Sequence, residues 1–419
     1  MPRRDRDDTR HDLLKLDEAV GLAQAIDLVI SQSHRVPLRR VAPGELFGSG
    51  QLQRFADDMV DEKPDLVIIN AALSPVQQRN LERRLKTKVI DRTGLILEIF
   101  GRRAQTREGA LQVELAHLTY QQGRLVRSWT HLERQRGGGG FLGGPGETQI
   151  ETDRRLLRER IQSLKSRLED VKRTRTLARR KRTRAPFPVV ALVGYTNAGK
   201  STLFNRMTKA EVLSKDMLFA TLDPTVRKIV LPGGETAMLS DTVGFISNLP
   251  TELIAAFRAT LEEVIHADLL LHVHDVSADD YDAQRADVLT VLKDLGVDPS
   301  IEDGPPIANV YNKIDCLSEE DKTAWQALAR RRSNSHLTSA ATGEGVDALL
   351  LAIEKSLPDI TSHLHLEVPH ANAAALGTAY RMGRNVSEVN ATETSVLLEG
   401  DFTPQAQARL VQDGAILKN

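Results

Sequence analysis

Residues 188–201, PVVALVGYTNAGKS, limit the possible folds more than any other stretch of the chain. Positions 189–193 are apolar and mostly β-branched, as a parallel strand covered on both faces must be. The run leads directly into the spacing GxxxxGK[ST] and then into TLFNRM, which has helical character. A strand, a glycine-rich turn and a helix in that order make a phosphate cradle in an α/β sheet. The glycines let the backbone of Gly194, Tyr195, Thr196, Asn197, Ala198 and Gly199 wrap phosphate oxygens at the start of the helix. Lys200 is placed to neutralise the β and γ oxygens, Ser201 to offer a hydroxyl to Mg²⁺, and Thr202 belongs to the same set of candidate nucleotide-binding residues.

Motifs further along the chain narrow the ligand. In MLSDTVGF, Asp241 ends an apolar strand and Gly244 lies three residues on, with Thr242 and Val243 between them. The carboxylate of such a DxxG segment is suited to the metal, and the glycine amide to the γ-phosphate. Between the two motifs lies FATLDPT, residues 219–225, with neither helical nor strand periodicity. Its Phe219, Ala220, Thr221, Leu222 and Asp223 form a candidate switch loop, in which Thr221 can complete the Mg²⁺ shell. IANVYNKID then delivers Asn312, Lys313, Ile314 and Asp315 to a strand end. The Asp315 carboxylate can accept from N1–H and the N2 amine of guanine, which adenine does not offer, while Asn312 ties the loop to the P-loop and the Lys313 stem covers the base. HLTSAATGEG puts Ser339 and Ala340 at a further strand end, where a backbone N–H can read O6. Five motifs in this order predict a GTP-binding and GTP-hydrolysing domain, with Lys200, Thr221 and Gly244 as its catalytic residues and Ser201, Thr221 and Asp241 as its metal ligands.

At 419 residues the chain has room for two to four domains. The expected class is multidomain α/β: an N-terminal α/β domain (1–103), an antiparallel helical hairpin (104–185), a P-loop domain with a mainly parallel sheet (186–358) and a small C-terminal α/β appendage (359–419). In the first, LDEAVGLAQAI reads as helix, DLVII as strand, SPVQQRNLERRLK as a helix capped by Ser74 with Pro75 at its first position, and KVIDRTGLILEIF as a return to strand character. Its Asp and His residues are scattered and read as solvated surface. The hairpin is signalled by Leu111, Leu115 and Leu118 and by Leu157, Ile161, Leu164, Leu168 and Val171 in 4,3 spacing, joined by a loop of about 28 residues that contains GGGGFLGGPGE.

Net charge is −1, yet residues 124–184 carry 18 basic against 7 acidic side chains. That asymmetry fits one element made to meet a polyanion. Arg134 and Arg136 beside the glycine tip, Arg154, Arg155 and Arg158, and the LARRKRTR tract are the candidate RNA contacts; a solvated charged face is the plain alternative. His272 and His274 read as packed strand residues, and His363, His365 and His370 as linker residues without a metal frame. The single Cys316 fits a reducing compartment, and no signal peptide or membrane span is evident, so a cytoplasmic protein is expected. The short helical seams satisfy each other within one chain, which favours a monomer.

These residues resemble the HflX family of ribosome-associated GTPases, within the translation-factor-like class. The likeness covers roughly residues 12–358 and is most specific in GGPGETQIETDRR, GYTNAGKST, FATLDPT and DTVGF. It implies binding to the large (50S) ribosomal subunit through the amino-terminal domain and hairpin, and in some members separation of stalled ribosomes under stress. Two other readings stay open: a GTP-dependent factor for another RNA, and a nucleotide-sensing adaptor with little turnover. Phe245 follows Gly244 where many GTPases carry a water-orienting glutamine, so intrinsic hydrolysis is expected to be slow. In related GTPases an asparagine at the place of Asn197 helps hold K⁺; a simple P-loop hydrogen bond is the equal alternative.

Overall fold

The computed structural model describes residues 12–36, 38, 41–135, 149–182, 187–209, 218–219, 221–222, 225–247, 261, 263–297, 305–357, 362–402 and 404–418. The amino-terminal part runs α1 (Asp12–Gln24), α2 (Ser49–Glu62), β1 (Leu66–Ile69), α3 (Pro75–Leu85), β2 (Lys88–Asp91) and α4 (Arg92–Arg103), with β1 and β2 paired in parallel. Ser74 caps α3 reciprocally: its hydroxyl accepts from Gln77 N at 3.2 Å and its own N–H donates to Gln77 Oε1 at 2.9 Å.

Two sequence expectations fail here. GLILEIF is helix, not strand. Asp91 caps α4 by accepting from Gly94 N at 2.8 Å, and residues 94–97, 99 and 100 are all buried, so only Glu98, Gly101 and Arg102 remain exposed, too narrow a polar face to reveal the period. Asp91 itself is not solvated surface: it is 2% exposed and also accepts from Leu73 N (3.1 Å), Arg124 Nη2 (2.6 Å) and the Tyr120 hydroxyl (2.5 Å).

Two long helices follow, α5 (Arg107–Gln135) and α6 (Gln149–Arg182). They contact along the expected seam, where Leu111, Ile161 and Leu164 are buried. Helix extends further toward the tip than expected, so residues 121–135 of the anticipated loop are helical; the glycine tip and Arg136 lie outside the described residues. A second face of α5, with Val113 and Ala116, joins the core beneath α4.

The six-stranded sheet has the order β4-β5-β3-β6-β7-β8, from β3 (Val189–Gly194), β4 (Thr225–Val230), β5 (Thr236–Asp241), β6 (Leu269–Asp275), β7 (Ile307–Asn312) and β8 (Ser335–Leu337). Only the β4–β5 pair is antiparallel. Helices α7 (Lys200–Thr208), α8 (Tyr281–Asp294), α9 (Glu319–Arg331) and α10 (Val346–Ser356) accompany it. The carboxyl ends of β3, β5 and β7 converge, which is where an open parallel sheet binds its ligand.

The last part pairs β9 (Ser362–Pro369), β10 (Arg384–Ala391), β11 (Ser395–Phe402) and β12 (Ile416–Lys418) in the order β10-β11-β9-β12, all antiparallel, with α11 (Ala373–Met382) and α12 (Pro404–Gln412) packed on one face. His363 and His365 therefore lie in a strand rather than a linker. No helix among the described residues is long and apolar enough to cross a membrane.

Candidate functional site

A cavity of about 410 Å³ opens at the carboxyl end of the sheet, lined by residues from each of the five motifs, among them Lys200, Thr221, Gly244, Asp315 and Ala340. Gly199 holds φ +90°, and a Cβ there would lie 2.2 Å from Asn312 Nδ2, so only glycine fits. That closeness serves a bond: Asn312 Nδ2 donates to Ala198 O at 2.9 Å, while its Oδ1 accepts from Ala340 N at 2.9 Å and from the Thr338 hydroxyl at 3.3 Å. One buried amide thus joins three motifs.

At the P-loop end, Lys200 is 6% exposed and donates to Gly194 O (3.1 Å) and Tyr195 O (2.8 Å). Burial lowers its ammonium to about 8, with Asp241 opposing. Ser201 Oγ donates to Asp241 Oδ2 at 2.7 Å, Thr221 Oγ1 donates to the same oxygen at 2.9 Å, and the two hydroxyls lie 2.8 Å apart. Asp241 Oδ1 is buried without a partner. Burial raises the Asp241 carboxyl, and Ser201, Lys200 and Thr221 pull it back. Three hard oxygen groups around one point, with an unused carboxylate oxygen, suit a hard divalent cation.

At the end formed by Asn312–Asp315, Asp315 is largely exposed and its carboxyl is lowered, chiefly by the Ser339 hydroxyl. The Lys313 ammonium pairs with Asp275 at 2.7 Å, and Ile314 is buried beneath the loop. Ser339 and Ala340 do not have the spare N–H expected of them: Ser339 N donates to Glu344 O and Ala340 N to Asn312 Oδ1, each at 2.9 Å. Ala341, the next residue, also lines the cavity. Thr242 is likewise committed elsewhere, its hydroxyl donating to Leu192 O at 2.6 Å.

Thr196, Asn197 and Thr202 line the cavity, with Asn197 at φ 62°. Leu222 and Val243 are buried, and Ala220 and Asp223 lie outside the described residues. Phe219 lines the cavity but stacks edge-on against Phe100 of α4, centroids 4.7 Å apart. Among the arginines, Arg155 pairs with Glu159 at 3.1 Å and Arg158 Nε donates to Arg154 O at 3.3 Å, while nothing is described of the Arg134 side chain.

Sequence reasoning missed the junction between this site and the amino-terminal helices. Arg92 donates to Glu18 Oε1 (2.6 Å), Asn70 Oδ1 (2.7 Å), Ser247 O (3.0 Å) and Ser247 Oγ (3.2 Å). The Tyr195 hydroxyl donates to Glu18 and accepts from Ser247 N at 2.9 Å. A phenol inside a P-loop was the available signal, since a buried tyrosine needs a polar partner.

Three family models match in chain order: a GTP-binding GTPase N-terminal region (14–101), a GTP-binding GTPase middle region (103–182) and a 50S ribosome-binding GTPase (189–313). The GTPase HflX of Magnetococcus marinus is 49% identical over 395 residues, covering 94% of this chain and 89% of the relative. That of Escherichia coli is 44% identical over 396 residues, covering 94% and 90%. A solved complex of the protein SsGBP with GDP is 25% identical, covers 81% of this chain and 94% of that one, and superposes with a TM-score of 0.48. A guanine-nucleotide motif set joined to matching amino-terminal and middle regions, with relatives this similar over nearly the whole length, makes the chain a GTP-hydrolysing member of the HflX family.

Proposed function

We propose that this GTPase acts on the large ribosomal subunit, docking in its GTP-bound state and leaving after hydrolysis. The observation that carries the reading is the Arg92 junction. The loop after Gly244, where the γ-phosphate is sensed, is held by the amino-terminal helices, and the basic helical pair extends directly from them. A change at the phosphate is thereby felt by the part of the chain suited to RNA.

In this reading Asp315 accepts from the guanine edge, Lys200 lies against the β and γ oxygens, and the Gly244 amide meets the γ-phosphate. Ser201, Thr221 and Asp241 would hold Mg²⁺, which when bound neutralises charge on the β and γ oxygens. Gly244 sits against the P-loop so closely that a Cβ would lie 2.9 Å from Thr196 Cα, so residue 244 has to be small for phosphate to be gripped. Phe245 cannot orient water: its ring is 1% exposed in the apolar core. Intrinsic turnover is therefore slow and the ribosome completes the site. The unit boundaries 1–103, 104–185, 186–358 and 359–419 belong to the same proposal, as do the RNA contacts of Arg134, Arg136, Arg154, Arg155 and Arg158.

Co-sedimentation with purified large subunits at rising salt tests the reading. More protein should pellet with a non-hydrolysable GTP analogue than with GDP, and salt should weaken the binding steeply. Equal, negligible pelleting in both nucleotide states would overturn it.

A further inference from the structure

The outer face of the C-terminal sheet gathers groups that GTP hydrolysis does not use. Along β9 the residues alternate: Leu366 and Val368 are buried in a core with Leu398 and Phe402, which turns His363, His365 and Glu367 outward. Antiparallel register then sets Glu399 opposite His365 and Asp401 opposite His363. His363, His365 and Glu399 each bring one ligand atom within 4.8 Å of the others.

The surroundings fix these groups from behind. His363 Nδ1 lies 3.0 Å from Asp401 Oδ1, which leaves Nε2 as the outward nitrogen. Asn385 Nδ2 donates to Asp401 Oδ2 at 2.9 Å, and Ser387 Oγ donates to Glu399 Oε1 at 3.0 Å. His365 Nδ1 is shielded from solvent without a hydrogen-bond partner. Glu367, on the same face, is already committed to Lys418 at 2.6 Å and to the Ser395 hydroxyl at 2.8 Å.

We propose that His363, His365 and Glu399 form a site for a divalent transition-metal ion, Zn²⁺ foremost, with Asp401 orienting His363. Two imidazoles and one carboxylate are the donors of zinc rather than of Mg²⁺ or Ca²⁺, which take oxygen. A carboxylate on the far nitrogen of a ligating histidine is the usual outer support of such a centre. Ligands at metal–nitrogen distances of about 2.0–2.1 Å in a tetrahedron sit roughly 3.3 Å apart, so binding requires the three groups to close by at most about 1.5 Å. The His363 side chain is 58% exposed, which leaves solvent space for that small closure while Nδ1 stays on Asp401. Three protein ligands leave the fourth position to water or to a partner's group.

Calorimetric titration of Zn²⁺ into the full-length protein, stripped of metal and saturated with Mg-GDP to occupy the nucleotide site, tests the proposal; tetrahedral absorption bands of Co²⁺ give an independent readout. One ion per chain is expected. His365→Gln and Glu399→Gln should each weaken binding at least about tenfold, Asp401→Asn by about tenfold, and the neighbouring Glu367→Gln should leave it unchanged. All four positions lie on a sheet surface, and circular dichroism verifies their folding. Zn²⁺ affinity equal to wild type in His365→Gln and Glu399→Gln, or no Zn²⁺ bound by the wild type, would overturn it, as would a loss in Glu367→Gln as large as theirs.

Discussion

Arg92→Met isolates the junction between the amino-terminal helices and the loop after Gly244. The substitution keeps the apolar stem and removes the donors to Glu18, Asn70 and both oxygens of Ser247. The ion pair is largely dry, with side chains 8% and 13% exposed. Removing one partner of a buried pair costs about 3–5 kcal/mol, because the other charge remains. Glu18 keeps the Tyr195 and Ser247 hydroxyls, so the low end, about 3 kcal/mol, applies. At about 1.4 kcal/mol per tenfold, that is roughly a hundredfold faster amide hydrogen exchange in residues 242–247, read by mass spectrometry on the GDP-bound protein. The double variant Glu18→Gln/Arg92→Met removes the stranded charge and should recover about 1–2 kcal/mol. Exchange within about threefold of wild type in Arg92→Met, or no recovery in the double variant, would refute the assignment of the pair as the clasp.

Asp315→Asn should weaken GTP about tenfold to a hundredfold through loss of charge-assisted bonds and shift preference toward xanthine nucleotides, measured by competition titration; retained guanine preference would contradict the contact. Gly199→Ala forces a methyl to 2.2 Å from Asn312 Nδ2 at φ +90°, so labelled-GDP affinity should fall at least tenfold while the sheet stays folded. Acid should weaken the nucleotide-binding sheet through two buried imidazoles. Burial is the main cause that holds His272 well below its ordinary pKa and lowers His274 to about 4. Both rings are neutral when folded, whereas the unfolded chain takes up protons near pH 6.5. Their stabilisation is complete above that pH and lost on acidification toward pH 4, by up to about 1.4 kcal/mol per pH unit for each ring. Urea midpoints that do not move between pH 7.5 and 5 would contradict this.

The parts of the fold legible in the sequence are those set by local chemistry. The P-loop, the Ser74 cap and the seam between α5 and α6 each follow from a few residues at fixed spacing. Helix α4 reads as strand because the run Gly94–Leu97 is buried all round, and the exposed face left to Glu98, Gly101 and Arg102 is too narrow to show the helical period. The Arg92 network is invisible for another reason: it joins positions 18, 92, 195 and 247, as far as 229 residues apart, and no periodicity marks such a meeting. The spare donors expected at Ser339 and Ala340 fail because sequence locates a loop but not where its amides point. The histidine pair of β9 gains its carboxylates only from strand register.

One position connects the missing catalytic side chain to the architecture. Phe245 joins the DxxG segment to the P-loop through backbone bonds, Thr196 N to Phe245 O at 2.7 Å and Phe245 N to Gly194 O at 3.1 Å. Its ring belongs to the same apolar cluster as Leu22, Phe100 and Phe219, which spans the amino-terminal helices and the GTPase sheet. A glutamine here would bury an amide without partners, at a cost of about 1–3 kcal/mol, and would withdraw a phenyl ring from the junction. The side chain that gives up water orientation is therefore one that binds the phosphate loop to the rest of the molecule. On the function proposed above, the ring that supplies this connection is not available to orient water, so hydrolysis waits for help from outside and its outcome passes to the helices through the same packed junction.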